Sequence, residues 1–177
     1  MRRNSAVAFW AVVSAVTAAD VFTKWWAETA LKPIGFPREI AGEWMRFTLV
    51  YNPGAAFGLN VGEHSRWVFM ALTVIALGIL GRLYLSTREG DMSRAMALAL
   101  VCAGALGNLI DRVRSGRGVV DFIDIGIGAT RWPTFNVADM AVSSGAVMLA
   151  LVLWYQDQQE NAALAAAPVT AERGELS

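Results

Sequence analysis

Four long apolar stretches alternate with more polar segments along the chain. Each approaches the length of about 20 residues that a helix needs to cross a bilayer core. The pattern therefore predicts four transmembrane helices, at about residues 5–23, 67–85, 95–111 and 136–155. Because the number of spans is even, both termini are expected on the same side of the membrane.

The segment between the first two spans, about residues 27–65, is mixed in character. Proline and glycine interrupt helices there, whereas residues 43–51 combine strand-forming side chains with partial alternation. We expect a small platform that ends in a tight turn at residues 52–58, and a second loop on the same side at residues 111–135. The predicted fold class is an all-α membrane protein: four transmembrane helices with a small extracytoplasmic β-rich platform between helices 1 and 2.

The composition is typical of an integral membrane protein. Of the 177 residues, 55% are hydrophobic and 17% are charged, and the mean hydropathy is +0.42; an ordinary soluble domain is about 25% charged. We expect one membrane-embedded domain over residues 1–156 and a polar, alanine-rich, mobile cytoplasmic tail at 157–177. The net charge of zero gives no indication of a nucleic-acid partner.

Cysteine and histidine occur once each, which weakens two mechanistic classes. With only Cys102 and His64, the chain has neither an internal disulfide nor the usual ligand set of a zinc site. Cys102 lies in an apolar run, where we interpret it as a small buried hydrophobe. His64 lies in a loop, so no Cys–His nucleophile is expected, and we predict neither a metal nor another cofactor.

Basic residues give a conflicting signal about orientation. With the termini inside, the inner segments hold six Lys and Arg residues and the outer loops hold nine, which opposes the positive-inside rule. We nevertheless expect cytoplasmic termini, because the first helix and its flanking Arg2 and Arg3 often dominate.

Four of the seven aspartates lie between residues 108 and 139, namely Asp111, Asp121, Asp124 and Asp139. On the predicted topology they fall on the outer side together with Asp20. Acidic residues at the ends of membrane helices are costly, which makes them functional candidates.

Asp121 and Asp139 have the environments that acid–base chemistry needs. Asp121 lies among Val, Phe and Ile side chains, where desolvation raises a carboxyl pKa. Asp139 lies in the first turn of the fourth helix, where the dipole favours an anion. At close range the two would share a proton, so that one activates a water while the other polarises a carbonyl and protonates the leaving amine. Alternatively, the aspartates only cap helices and pair with Arg112, Arg114 and Arg117.

Five short motifs follow one another in the chain: residues 20–24 (DVFTK), 52–57 (NPGAAF), 104–112 (GALGNLIDR), 119–122 (VVDF) and 135–139 (FNVAD). In this order and spacing they resemble the motifs of lipoprotein signal peptidase (signal peptidase II), over residues 20–145. Val21 and Met140 depart from the Gln and Ser that are common in the family, at positions that carry no protons.

The resemblance implies a metal-independent aspartic endopeptidase of the bacterial inner membrane, with cytoplasmic termini and an active site near the periplasmic face. Its substrates would be prolipoproteins, cut before a diacylglyceryl-modified cysteine. Its other partners would be membrane lipids, with no nucleic acid, and a monomer suffices. Asp121 and Asp139 match the catalytic dyad. The supporting matches are Asn108, Arg112 and Asn136 lining the site, Asn52 and Gly54 in a loop that closes over substrate, and Asp20 and Lys24 at the end of the first helix.

Several supporting residues keep a second interpretation. Arg112 either holds a substrate carbonyl or forms a structural salt bridge, and Asn136 either belongs to the site or caps its helix. Asp20 and Lys24, four residues apart on one helical face, are interpreted as a pair that holds the fold. Asp111, paired with a nearby arginine, and Asp124 are assigned structural roles.

Two other functions are compatible with buried carboxylates. A proton- or ion-coupled transporter uses them as relays, but here they cluster at one face and no inverted repeat is evident. A membrane assembly factor without enzymatic activity would use the same residues only to hold its fold. Cleavage of a lipid-modified prolipoprotein distinguishes the peptidase from both.

Overall fold

A computed structural model of the chain describes residues 3–54 and 62–166. Its helices are α1 (Arg3–Ala30), α2 (Ser65–Leu85), α3 (Met92–Arg114) and α4 (Val137–Ala166). Its strands are β1 (Arg38–Ala41), β2 (Met45–Asn52), β3 (Val119–Ile127) and β4 (Thr130–Arg131). All four helices are long and apolar enough to cross a membrane, as the hydrophobic pattern predicted.

The strands form one antiparallel sheet in the order β1-β2-β3-β4. The all-α description is therefore wrong, and so is the confinement of the β-rich part to the connection between the first two helices. The segment expected as a second loop supplies β3, whose sequence VVDFIDIGI is rich in the β-branched residues that favour strands. Its pairing with β2 brings Val50 opposite Asp121 and Asn52 opposite Val119.

The fourth helix is longer than its apolar stretch. It continues to Ala166, so residues 157–166, expected in the tail, are helical, while residues 167–177 lie outside the described part. Alanine, glutamine and glutamate in this extension are good helix formers. Gln156 also donates a hydrogen bond of 2.6 Å to Asp91 Oδ2 at the start of α3.

Small residues let α3 pack closely against its neighbours. A Cβ atom on Gly104 would collide with the Ala138 carbonyl of α4, and one on Gly107 would collide with the Asp20 carboxylate of α1. Gly145 of α4 similarly faces the Val101 side chain, 2.8 Å from an added Cβ. Close backbone approach through glycine is how membrane helices associate, and here it brings the polar end of α1 against the N-terminus of α4.

Apolar side chains fill two regions. One cluster lies within the helix bundle and includes Phe9, Leu98 and Cys102. Cys102 is thus a buried hydrophobe, as predicted. The second cluster lies between the sheet and α1, around Leu49 and Phe122, and it holds β3 beside the helix ends that carry the candidate site.

Candidate active site

Asp139 and Asn136 form a reciprocal cap at the N-terminus of α4. The Asn136 side-chain Oδ1 accepts a hydrogen bond of 2.9 Å from the Asp139 backbone N–H, and Asp139 Oδ2 accepts one of 3.2 Å from the Asn136 backbone N–H. This capping box satisfies two backbone donors that a helix start leaves open. Asn136 therefore does cap its helix, and the cap fixes the orientation of both side chains.

The same Asn136 side chain also reaches Asp121 on β3. Its Nδ2 donates hydrogen bonds to Asp121 Oδ1 at 2.6 Å and to the Val120 carbonyl at 3.2 Å. The Asn136 side chain is thus both a helix cap and a neighbour of Asp121, because its oxygen accepts from the Asp139 backbone N–H and its nitrogen donates to the Asp121 carboxylate. The Asp139 carboxylate is bonded by the backbone N–H of Asn136 instead.

Burial raises the pKa of Asp121 to about 7, and the neighbouring negative charge of Asp139 adds to the increase. Hydrogen bonds from the Asn52 and Asn136 side chains, and the charge of Lys24, act in the opposite direction. Desolvation is the larger effect because Asp121 is only 3% exposed, and it favours the neutral carboxyl. At neutral pH this group therefore exists in both protonation states.

Asn108 on α3 contacts Asp139 directly and is connected to Asp121 through Asn136. Its Nδ2 donates to Asp139 Oδ1 at 2.8 Å, while its Oδ1 accepts from Asn136 Nδ2 at 3.2 Å. The same oxygen accepts a hydrogen bond of 3.0 Å from Lys24 Nζ. One continuous hydrogen-bonded network consequently connects five side chains, those of Asp121, Asn136, Asn108, Asp139 and Lys24.

A fully buried ion cluster is connected to this network through Lys24. Lys24 Nζ is 2.8 Å from Asp20 Oδ2 and 3.1 Å from Asp111 Oδ2, with side-chain exposures of 1%, 0% and 4%. Asp20 Oδ1 accepts from the Ala138 backbone N–H of α4 at 2.8 Å, and Asp111 Oδ2 accepts from the Val120 N–H of β3 at 3.0 Å. The cluster thus ties α1, α3, α4 and β3 together.

Sequence reasoning anticipated only part of that cluster. The spacing of four residues indicated the Asp20–Lys24 pair, but Asp111 was expected to pair with an arginine. It does contact Arg114, at 3.4 Å, but its closer ion pair is with Lys24. The contacts of Lys24 to Asn108 and of Asp20 to α4 span 84 and 118 residues, and no local pattern signals them.

Arg112 is close to the pair and incompletely satisfied. Its Nη1 donates to the Asn108 backbone carbonyl at 3.2 Å, and its guanidinium lies over the Phe69 ring, 5.7 Å from the centroid. Its Nε is buried without a hydrogen-bond partner in the described part of the chain. The predicted salt bridge of Arg112 is absent among residues 3–54 and 62–166, where Asp111 pairs with Lys24 and Arg114 instead.

The turn after β2 borders Asp121. Asn52 hydrogen-bonds Asp121 through its side chain, and its Oδ1 accepts from the Gly54 backbone N–H at 3.0 Å. Gly54 has φ of 120° and lies against Phe69, a conformation and a proximity that disfavour any side chain. Residues 55–57, the rest of this motif, lie outside the described residues.

Asp124 lies apart from the network, further along β3. It forms an ion pair of 2.8 Å with Arg131 Nε and accepts from the Thr48 hydroxyl at 3.2 Å. This places it in the structural role expected for it. Among the described residues, no group of three His, Cys, Asp or Glu side chains is arranged to hold a metal ion.

Four membrane-length helices, with two carboxylates linked by asparagine amides at one end of the bundle, define a multi-pass membrane protein with a polar candidate site. Comparison with known proteins identifies the family. The family model described as signal peptidase (SPase) II matches residues 12–155. The chain belongs to this family, whose members are proteases of bacterial lipoprotein processing.

Individual relatives agree with this assignment. The lipoprotein signal peptidase of Hydrogenovibrio crunogenus is 41% identical over 147 residues, covering 81% of this chain and 84% of the relative. The lipoprotein signal peptidase of Xanthomonas campestris pv. campestris is 39% identical over 153 residues, covering 85% and 90%. The chain is thus similar to bacterial lipoprotein signal peptidases over nearly their whole length.

Solved structures share the fold. A bacterial membrane enzyme determined by the in meso method at 1.9 Å resolution superposes with a TM-score of 0.73 at 33% identity, covering 82% of this chain and 92% of that one. Another, determined at 2.3 Å, gives a TM-score of 0.76 at 28% identity, with 96% and 94% covered. The overall fold is therefore shared with these solved structures.

Proposed function

We propose that this protein is an aspartic endopeptidase that removes signal peptides from prolipoproteins. It cleaves before the diacylglyceryl-modified cysteine, with Asp121 and Asp139 activating a water and with no metal. The observation that carries the proposal is the connection of these two carboxylates through two asparagine amides. Asn136 Nδ2 donates to Asp121 Oδ1 and to Asn108 Oδ1, and Asn108 Nδ2 donates to Asp139 Oδ1.

The chemistry follows from the unequal surroundings of the two carboxylates. A general base must be ionised and a general acid must hold a proton at the working pH. The pKa of Asp121, raised to about 7, allows that residue to carry the shared proton, while the N-terminus of α4 favours the anionic form of Asp139. Asp139 then takes a proton from water, and Asp121 polarises the scissile carbonyl and later protonates the leaving amine.

Arg112 and the turn at residues 52–54 are assigned to substrate binding. The Arg112 guanidinium has a buried N–H without a described partner, and such a donor suits a carbonyl of an extended peptide. Asn52 and Gly54 lie beside Asp121, so a segment that continues from this turn can close over bound substrate. Asn108 and Asn136 hold the Asp139 and Asp121 carboxylates in position by hydrogen bonds.

The proposed setting is the bacterial inner membrane, with both termini cytoplasmic and the site near the periplasmic face. Four spans place the sheet and the dyad at one end of the bundle and the short α2–α3 connection at the other. A monomer in contact with membrane lipids is sufficient, because every proposed site residue comes from one chain.

The test is cleavage of a diacylglyceryl-modified prolipoprotein by the purified protein in detergent, with and without a chelator. The wild type should cleave equally in both conditions. Asp121→Asn and Asp139→Asn should each lower turnover at least about 100-fold, the usual contribution of acid–base catalysis. Full activity in either variant contradicts the dyad, and inhibition by the chelator contradicts metal independence.

Two controls make the test specific. Asp124→Asn changes a buried carboxylate on the same strand outside the network, and it should retain activity within about tenfold. A substrate that lacks the diacylglyceryl group should remain uncut, which separates this activity from that of other aspartic membrane proteases. Absence of cleavage by the wild type would favour a transporter or an assembly factor.

A further inference from the structure

We propose that Lys24 is a positioning residue that acts through Asn108 to keep Asp139 ionised, which leaves the shared proton of the dyad on Asp121. This inference rests on the proposed function, because it assigns protons within the same site. It starts from a fully buried ammonium whose third partner is an amide rather than a carboxylate.

The ammonium of Lys24 forms two ion pairs and one hydrogen bond. Asp20 Oδ2 lies at 2.8 Å and Asp111 Oδ2 at 3.1 Å, and Nζ donates a hydrogen bond of 3.0 Å to Asn108 Oδ1. An ammonium can only donate. The hydrogen bond therefore requires that the oxygen of the Asn108 amide, and not its nitrogen, faces Lys24.

This requirement determines what Asn108 offers to Asp139. With its oxygen held by Lys24 and by Asn136 Nδ2, the Asn108 amide directs its nitrogen to Asp139 Oδ1 at 2.8 Å. A flipped amide would place Nδ2 against two donors and Oδ1 against a carboxylate. Lys24 and Asn136 Nδ2 together thus make the donor orientation of Asn108 the only satisfied one.

Asp139 consequently receives donors on both oxygens. Oδ1 accepts from Asn108 and Oδ2 accepts from the Asn136 backbone N–H at 3.2 Å. A proton on Asp139 would have to displace one of these donors, whereas the ionised form accepts both. The position in the first turn of α4 favours the same charge state.

The other charged groups around the site do not reverse this preference. They are Asp20 on α1, Asp111 and Arg112 on α3, and Asp121 on β3. Arg114 forms ion pairs with Asp111 and with Glu28. The negative charges of Asp20 and Asp111 are balanced locally by Lys24 and Arg114. Arg112 attracts the anionic form of Asp139 and Asp121 alike. Asp121 differs in its burial on a strand, which raises its pKa to about 7.

The experiment removes the Lys24 donor without changing the charge of its cluster. Asp20, Lys24 and Asp111 together carry one net negative charge, and Asp20→Asn combined with Lys24→Met keeps that sum. The pH dependence of kcat and of KM is measured on lipidated prolipoprotein, with the wild type as the charge-matched reference and Asp20→Asn alone as the control for the loss of the Asp20 carboxylate. We expect the acid limb of kcat to move up by about one pH unit, a tenfold loss on that limb, with little change in KM. An unchanged profile would overturn the proposal.

Dependence on Asn108 separates positioning from a general charge effect. In an Asn108→Ser background, the same Lys24 change should produce no further shift, because the connecting amide is gone. A shift of full size in that background would show that Lys24 acts through space, and would overturn the inference. Arg131→Gln, which alters an ion pair outside the network, should leave the profile unchanged.

A measurement without turnover covers the case in which Lys24 variants do not fold. The infrared band of a protonated carboxyl, followed below pH about 7, should vanish in Asp121→Asn and persist in Asp139→Asn. The opposite result would place the proton on Asp139 and overturn the proposal. If the wild type cleaves substrate and both dyad variants do not, the proposed function stands whatever the infrared result. The opposite infrared result would then reject only the inference about the proton.

Discussion

Strand β3 holds two buried aspartates, Asp121 nearer its start and Asp124 nearer its end. The two side chains have opposite surroundings. Asp124, near the β3–β4 turn, faces a guanidinium and a hydroxyl. Asp121, near the helices, faces amides and a second carboxylate. They lie three positions apart, and this odd spacing places them on opposite sides of a regular strand.

The difference shows what turns a buried carboxylate into a candidate catalyst. Asp124 has a cation 2.8 Å away, so its charge is neutralised and its role is to hold the sheet. Asp121 receives neutral donors that orient it without neutralising it, and its pKa rises to about 7 as a result of burial. A perturbed pKa next to a second ionisable group is typical of functional sites.

The largest effect expected from this contrast is on the pH dependence of stability. Because the pKa of Asp121 rises from its ordinary value of 3.8 to about 7, the folded state retains a proton that the unfolded state releases between these values. Stability is therefore lost as pH rises through this range, by up to about 4 kcal/mol above pH 7. Asp121→Asn removes this penalty.

Tryptophan fluorescence during thermal unfolding in detergent measures the effect. The variant should exceed the wild type in Tm above about pH 7, and the difference should disappear near pH 4. Asp124→Asn, the matched change at the other end of the strand, should show no such gain. A Tm difference between Asp121→Asn and wild type that is independent of pH would contradict the account.

A smaller effect concerns the helix packing on which the Asp121 end depends. Gly104→Ala places a methyl group against the Ala138 carbonyl at the start of α4, which should cost about 1–3 kcal/mol and reduce turnover by displacing Asp139. Gly78→Ala, at a helical position of α2 with open space around it, is the control. Equal Tm and equal turnover for the two variants would show that the close contact is not needed.

The smallest effect concerns the ion pair at the other end. Asp124→Asn should lower the free energy of unfolding by about 1–3 kcal/mol, because Arg131 loses a charged hydrogen-bond partner. Adding Arg131→Gln should recover part of the loss, since no unpaired charge then remains. Denaturant unfolding of the two single variants and the double variant gives the coupling energy. A purely additive result would mean that the pair contributes nothing.

Much of the fold was predictable from the chain, for reasons that can be stated. The helices follow from the length of the apolar stretches. The sheet was only half predicted, since β2 showed alternation but β3 was expected as loop. Strand β3 is largely buried, so its sequence need not alternate between apolar and polar residues. Its pairing partner β2 lies about 70 residues away in the sequence.

The candidate site divides in the same way. The motifs alone singled out Asp121, Asp139, Asn108 and Asn136, and they separated these residues from Asp111 and Asp124. They did not reveal that the amides of Asn136 and Asn108 connect the two carboxylates, or that Lys24 donates to Asn108. Those contacts join α1, α3, α4 and β3.

The sequence by itself determined the class of protein, the number of spans and the residue types available for chemistry, because hydrophobic length and motif spacing are properties of the chain. Only the tertiary structure decided which aspartate is neutralised and which is left among amides. Charge state depends on the atoms within a few ångströms of a carboxylate, and here those atoms come from four separate elements. Lys24 and Asp20 show this most clearly, since neither is near Asp139 in the sequence. In the fold, Asp20 bonds the neighbouring Ala138 backbone N–H, and Lys24 is connected to Asp139 through Asn108.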